Sequence, residues 1–265
     1  MSFSAMTPQA ETRHFINLAY LGARFHGWQT QPDACSVQES VERALATLFR
    51  RRIGVTGAGR TDAGVNASMM MAHADLPERV GDDSRLVRAL NGMLGPDIVV
   101  RWVRPVHDGA HARFDATSRT YRYYVHLGRD PFAGPLSWQA PESLDFDAMN
   151  AAAEVLYETL DFTSFSKLHT DTKTNICHVT RALWSRVDAG GEFPGAEKWM
   201  FEITADRFLR NMVRAVVGTL VEVGRHKMDL RKFKAVIEAR DRCAAGTSMP
   251  GTPLFLHDIT YPYPL

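Results

Sequence analysis

The residues best suited to chemistry lie in one short segment, Gly59-Arg60-Thr61-Asp62-Ala63-Gly64-Val65. Its centre is the carboxylate of Asp62, with a cation at Arg60 and glycines at Gly57, Gly59 and Gly64. Glycines open backbone conformations closed to other residues and let a ligand approach the main chain. The pair Gly57 and Gly59 also raises a phosphate-binding loop. That fingerprint needs a third glycine and a helix start. Asp62 stands in the third place, where its charge would oppose a phosphate, so the phosphate reading fails. What the loop offers is an acid on permissive backbone. An Asx-type turn, with Asp62 bonding its own backbone, is the structural alternative.

Two further segments carry candidate groups. Arg207, Arg210 and Arg214 fall at i, i+3 and i+7, which predicts one basic stripe on a helix over Phe208 to Val223. Most faces of that helix are apolar, so it is largely buried. Arg214 lies deepest, and a buried guanidinium needs a carboxylate or phosphate partner. The run Arg119-Thr120-Tyr121-Arg122-Tyr123-Tyr124 reads as a strand, with Arg119, Tyr121 and Tyr123 on one face. Rings interleaved with guanidinium groups suit RNA, where bases stack and phosphates are held. Plain strand composition is the alternative there. His107 and His111 have a metal-ligand spacing, but Gly109 between them argues against a helix and no third ligand is in register. Ser164, Ser166 and His169 lack a nucleophile elbow.

The elements that must position these groups alternate in a regular order. Arg13 to Tyr20 is a predicted strand. Ser36-Val37-Gln38-Glu39 is a capping box opening a helix with Val37, Val41, Leu45 and Leu48 on one stripe, closed by Arg50-Arg51-Arg52. A short strand, Ile53 to Thr56, leads into the glycine-rich loop. A strand over Ser68 to Asp75, a helix over Ser84 to Leu94 and a strand over Ile98 to Val106 complete a β-α-β-β-α-β order, the split βαβ pattern. The second half repeats it. Strands are predicted over Ser118 to Leu127, Cys177 to Val187, Lys198 to Ala205 and Leu254 to Tyr261. Helices are predicted over Asp145 to Tyr157, Phe208 to Val223 and Leu230 to Ala239. The fold class is therefore α+β, with two ferredoxin-like halves, 1–107 and 108–265, whose mainly antiparallel sheets flank a central catalytic cleft. Asp130 to Pro135 and Gly190 to Gly195 read as exposed turns.

Composition narrows the class. The chain has 265 residues, 45% hydrophobic and 23% charged, an ordinary balance for a globular protein. Its formal net charge is +1, so a polyanion site must come from local arrangement of charge. Cys35, Cys177 and Cys243 form no CxxC pair and are odd in number, which points away from zinc and from a disulfide framework and toward a reducing cytosol. Met1 to Glu11 lacks a signal-peptide pattern, and no apolar run is long enough to span a membrane.

Gly59-Arg60-Thr61-Asp62-Ala63-Gly64-Val65 resembles the signature of the tRNA pseudouridine synthase A family, and the likeness runs over nearly the whole chain. Gly27-Trp28-Gln29 with Ser36-Val37-Gln38, Ala89-Leu90-Asn91, Ala112-Arg113-Phe114-Asp115-Ala116, Arg119-Thr120-Tyr121-Arg122-Tyr123 and Met212-Val213-Arg214 with Val217-Gly218 follow in family order. The resemblance implies a cytoplasmic homodimer that isomerises uridine to pseudouridine at positions 38, 39 and 40 of the tRNA anticodon stem-loop, with no cofactor or metal. It implies Asp62 as the catalytic nucleophile or base, Tyr121 stacking on the target base, Arg214 pairing with Asp62, and Arg60 helping to hold the flipped-out nucleotide. Arg113, Arg119, Lys167, Arg207 and Arg210 are the implied RNA contacts. A nearby guanidinium favours the anionic form of a carboxylate, and the reacting base must first leave its stack.

This chain departs from the family at several points. Asn66 stands where histidine is common, and Met69-Met70-Met71 replaces a segment that often includes glutamine. Ser166-Lys167 stands where arginine is common, which makes Lys167 a less directional cation. Gly251-Thr252-Pro253-Leu254 replaces a Gly-Leu pair. From the residues alone, two other classes stay open. An RNA-binding protein without catalysis would keep the basic stripes and dispense with Asp62. A metal-dependent nuclease or phosphotransferase would need carboxylates clustered near Asp62, and the sequence offers none.

Overall fold

The computed structural model describes residues 11–77, 80, 84–167, 173–187 and 195–265. His169 and most of the expected turn from Gly190 to Gly195 lie outside the described residues. The first part of the chain runs β1 (Glu11–Tyr20), α1 (Val37–Phe49), β2 (Thr56–Gly57), β3 (Asn66–Pro77), α2 (Ser84–Leu94) and β4 (Ile98–Pro105). The rest runs β5 (Ser118–Leu127), β6 (Trp138–Ala140), α3 (Phe146–Ala153), β7 (Val179–Val187), β8 (Lys198–Ala205), α4 (Met212–Gly224), α5 (Leu230–Ala239) and β9 (Leu254–Thr260). The protein is thus α+β, with one mainly antiparallel sheet and five α-helices among the described residues.

The sheet order is β4-β1-β3-β9-β5-β8-β7, with β2 added to β3 and β6 to β5. Strand β1 lies between β4 and β3, and its Phe15, Ile16 and Leu18 are fully buried, as a strand covered on both faces requires. Among the described residues, the strands from the two parts of the chain meet at one place. There β3 pairs with β9 in parallel over only two residues, Asn66 with Phe255 and Ala67 with Leu256. Helix α1 starts because the Ser36 hydroxyl accepts the Glu39 backbone N–H at 3.2 Å. It stops where Arg50 enters the left-handed region at φ 53°. Helices α1 and α2 pack on one another and α2 on β4, while α3 packs against α4, α5 and β7.

Four elements differ from expectation. The helix expected over Asp145 to Tyr157 is α3 only to Ala153 and ends in a 3-10 turn over Glu154–Tyr157. The strand expected over Ile53 to Thr56 is only Thr56–Gly57, because Ile53 to Val55 form no ladder to β3. Strand β6 has no counterpart in the sequence reading; it is three residues long and pairs only with β5. The helix expected from Phe208 begins at Met212. Asn211 takes a left-handed conformation at φ 67°, which no helix continues through, and its side chain donates to Ser248 Oγ at 2.6 Å.

Candidate active site

Asp62 sits on the loop between β2 and β3. Several contacts fix that loop from the side of β1 and α1. The Trp28 N–H donates to the Thr61 carbonyl at 3.3 Å and the Gly64 N–H to the Phe25 carbonyl at 3.3 Å. The Tyr20 hydroxyl and Thr61 Oγ1 lie 2.9 Å apart. Within the loop the Val65 N–H closes a turn onto the Asp62 carbonyl at 3.1 Å. Thus Asp62 turns the chain through its carbonyl, and its carboxylate is directed elsewhere. Gly64 has φ +77° and Gly27, which faces the loop, has φ +94°, so both need glycine. Gly59 does not have a positive φ, and a Cβ there would meet open space.

The carboxylate meets two arginines from the far part of the chain. Arg214 Nη1 lies 3.6 Å from Asp62 Oδ2, and Arg210 Nε lies 3.6 Å from Asp62 Oδ1. These are charge pairs just beyond hydrogen-bonding reach. The Arg214 side chain is 24% exposed and that of Arg210 59%, so Arg214 is the better sheltered partner. Arg214 is also aimed. Its Nε donates to the Met249 carbonyl at 2.6 Å, and its own carbonyl accepts the Met249 N–H at 3.1 Å. The expected basic stripe of Arg207, Arg210 and Arg214 does not exist as one helix face, since only Arg214 is on α4. Arg210 reaches Asp62 because the backbone turns just after it, at Asn211.

Tyr121, on β5, is buried to 9% exposure, with its ring edge-to-face against Phe208 at 5.0 Å. Burial pushes its phenol pKa up, and the charge of Asp62 pushes it further, so the hydroxyl stays neutral. Lys167 is exposed, and its N–H donates to the Arg210 carbonyl at 3.0 Å, which sets it beside the Asp62 partner. Arg60 and Arg113 are exposed, and Arg207 is half-buried. Arg119 is turned inward. Its guanidinium donates to the carbonyls of Ala116, Asp206, Ala58 and Arg113, at 2.8, 2.8, 3.2 and 2.5 Å. It ties β5 to the strand that leads into the Asp62 loop.

Among the described residues no three His, Cys, Asp or Glu side chains are grouped to hold a metal, His107 and His111 included. His107 packs edge-on to Tyr263 and His111 against His73 and Phe114. Ser164 donates to the Val236 carbonyl at 2.6 Å, a structural bond. Sequence reasoning did not assign Asn66 a task. It is 1% exposed; its Oδ1 accepts the Gly22 N–H at 2.8 Å and its Nδ2 donates to the Thr252 carbonyl at 2.6 Å. Asn66 therefore clasps the β1 side of the site to the segment before β9. Phe208 and the Met249 carbonyl were missed as well, because neither carries a signature at the level of residue type.

The family model described as tRNA pseudouridine synthase matches residues 152–262. A protein of Parabacteroides distasonis named tRNA pseudouridine synthase A is 55% identical over 250 residues, covering 94% of this chain and 96% of that one. Proteins of the same name from Bacteroides thetaiotaomicron and Bordetella parapertussis are 55% and 40% identical, covering 94% and 95% of this chain and 91% of each relative.

Proposed function

The chain belongs to the tRNA pseudouridine synthase A family, enzymes that isomerise uridine to pseudouridine in tRNA, and on that premise we propose that Asp62 is its nucleophile. We further propose that the target uridines stand at positions 38, 39 and 40 of the anticodon stem-loop. The observation that carries the reading is the charge pair between Asp62 and Arg214, two groups separated by most of the sequence, with Tyr121 beside them.

In this reading the target nucleotide leaves its stack and its uracil lies against Tyr121. The N1–C1′ bond breaks, the uracil turns in the pocket, and a C5–C1′ bond forms. The C5 hydrogen leaves as a proton and N1 gains one, so substrate and product are isomers. Asp62 bonds covalently to the bound nucleotide and is released unchanged. Arg214 stands beside it as a counter-charge, and the neutral Tyr121 hydroxyl supplies no competing base. No cofactor or metal enters the scheme. Arg60 helps to hold the flipped-out nucleotide, Arg113, Lys167, Arg207 and Arg210 contact the RNA, and Arg119 serves RNA binding indirectly by holding the Arg113 segment against Ala58.

The same reading divides the chain into ferredoxin-like halves, 1–107 and 108–265, on either side of the cleft, and makes the enzyme a cytoplasmic homodimer. Among the described residues no helix is long and apolar enough to cross a membrane. The test is tritium release from tRNA labelled at uridine C5. Wild type releases tritium and Asp62→Asn does not. Full release by Asp62→Asn would refute the assignment.

A further inference from the structure

Phe114 lies between β4 and β5 and is 75% exposed, the most exposed large apolar side chain among the described residues. An exposed phenylalanine forgoes the stabilisation that burial of its ring would give. The loop under it is tightly held, so the exposure is not looseness. His111 Nδ1 accepts the N–H groups of Arg113 and Phe114 at 3.1 and 3.2 Å. Asp115 accepts the His111 N–H and the Tyr263 hydroxyl, each at 2.7 Å. The Ala112 N–H donates to His73 Nδ1 at 3.1 Å, and the Tyr261 hydroxyl donates to the Ala112 carbonyl at 2.6 Å. The Phe114 ring stacks on the His111 ring at 4.2 Å and 29°. One ring face is thus backed by the protein, and the side chain remains largely open.

Two neighbours give this ring a context. The Arg113 guanidinium lies 5.9 Å from its centroid. Arg119 joins the Arg113 carbonyl to that of Ala58, four residues before Asp62. The platform is therefore braced to the active-site loop and carries a cation at its rim.

We propose that Phe114 is a stacking platform for a nucleobase of the RNA substrate, the neighbour of the target uridine, with Arg113 on the adjoining phosphate. The proposal rests on the isomerase reading above. When the target uridine leaves the helix, the bases on either side lose a stacking partner. A rigid ring backed by His111 replaces that partner at little entropic cost. Stacking on aromatic side chains is tolerant of base identity, because every base has a π-face.

The test uses the full chain and anticodon stem-loop RNAs with 2-aminopurine placed 5′ or 3′ of the target uridine, in the Asp62→Asn background to prevent turnover. Binding is expected to leave one of the two probes quenched although its neighbour has left the stack. Adding Phe114→Ala abolishes that quench, and Phe114→Tyr restores it. With Asp62 intact, Phe114→Ala weakens tRNA binding roughly 5- to 150-fold and raises KM more than it lowers kcat. An unchanged Tm shows that the loss is not unfolding. Quenching that survives Phe114→Ala, or tRNA affinity within about twofold of the parent, overturns the proposal. So does dissociation of an oligomer by Phe114→Ala in sedimentation, which would make the ring a contact to a second copy. A wild-type chain that binds and quenches but releases no tritium would sink the isomerase reading and leave the platform standing.

Discussion

Gly27→Ala probes how strictly the fold sets the position of Asp62. Gly27 has φ +94°, and a Cβ at this position would stand 2.3 Å from the Thr61 carbonyl oxygen and 3.2 Å from the Asp62 carbonyl carbon. Both are backbone atoms, so no side chain can swing aside. The positive φ costs alanine about 1–3 kcal/mol, and relieving the overlap adds about 1–3 kcal/mol. For a chain of this size the sum lowers Tm by roughly 5–20 °C. Relief requires the Thr61–Asp62 backbone to retreat by about 1 Å, and a displacement of that size can cost on the order of 100-fold in rate. The assay is single-turnover pseudouridine formation below the lowered Tm, beside thermal unfolding followed by circular dichroism. Gly59→Ala is the control, since a Cβ there meets nothing within 4 Å and φ is not positive. It should leave Tm unchanged or slightly raised. Gly27→Ala with the parental Tm and kcat would refute the idea that this contact positions Asp62.

Arg214→Lys keeps the charge but loses the Nε–H bond to Met249, and should lower kcat about 10- to 100-fold in the tritium assay. Arg210→Ala removes a largely exposed partner and should cost less than about fivefold; equal losses would contradict the assignment of Arg214 as the main partner. Asn66→Ala strands the Gly22 N–H and the Thr252 carbonyl and should cost about 2 kcal/mol or more in urea unfolding. Asn66→Asp should be worse, because its carboxylate would face the Thr252 carbonyl. His73 supplies a pH dependence. Burial, with the charges of Arg13 and His111, lowers its pKa to about 4 from 6.5. Between those values the unfolded chain binds the extra proton, so stability falls as pH drops, by up to about 1.4 kcal/mol per pH unit. His73→Asn should flatten that slope; an unchanged slope would show that other groups set it.

Much of the fold was legible from periodicity. The bounds of α2, β5, β8 and α5 agree with the hydrophobic pattern. The start of α4 was not legible. Phe208 and Leu209 extend the apolar period, yet Leu209 is buried in the turn and Asn211 adopts a left-handed backbone held by Ser248. Period alone cannot see a hydrogen bond to a residue far along the chain. At the site, Asp62 and its pairing with Arg214 were legible through the family resemblance of the loop and helix motifs, and the two side chains lie 3.6 Å apart. Gly27, Asn66 and Met249 were not. Each acts on or through backbone atoms, and every residue type presents those.

The same distinction explains why Asn66 matters where the sequence offers no chemistry for it. Asp62 belongs to the strands ordered by β1, while Arg214 and Tyr121 belong to α4 and β5. Direct sheet pairing between the two sets is the two-residue ladder of β3 and β9. So short a ladder fixes register weakly, because few side-chain positions penalise a slip. The added constraints are the contacts that crowd around it. Asn66 bonds both sides, and Gly251 packs so closely on the loop that a Cβ would stand 2.9 Å from the Ala63 carbonyl. Arg214 bonds Met249, two residues before that glycine. The carboxylate and its cation are therefore referred to one seam, Ala63 to Asn66 against Met249 to Thr252. The 3.6 Å separation is a property of that seam more than of the attraction between the two charges, which at such exposure is too weak to hold the segments together by itself.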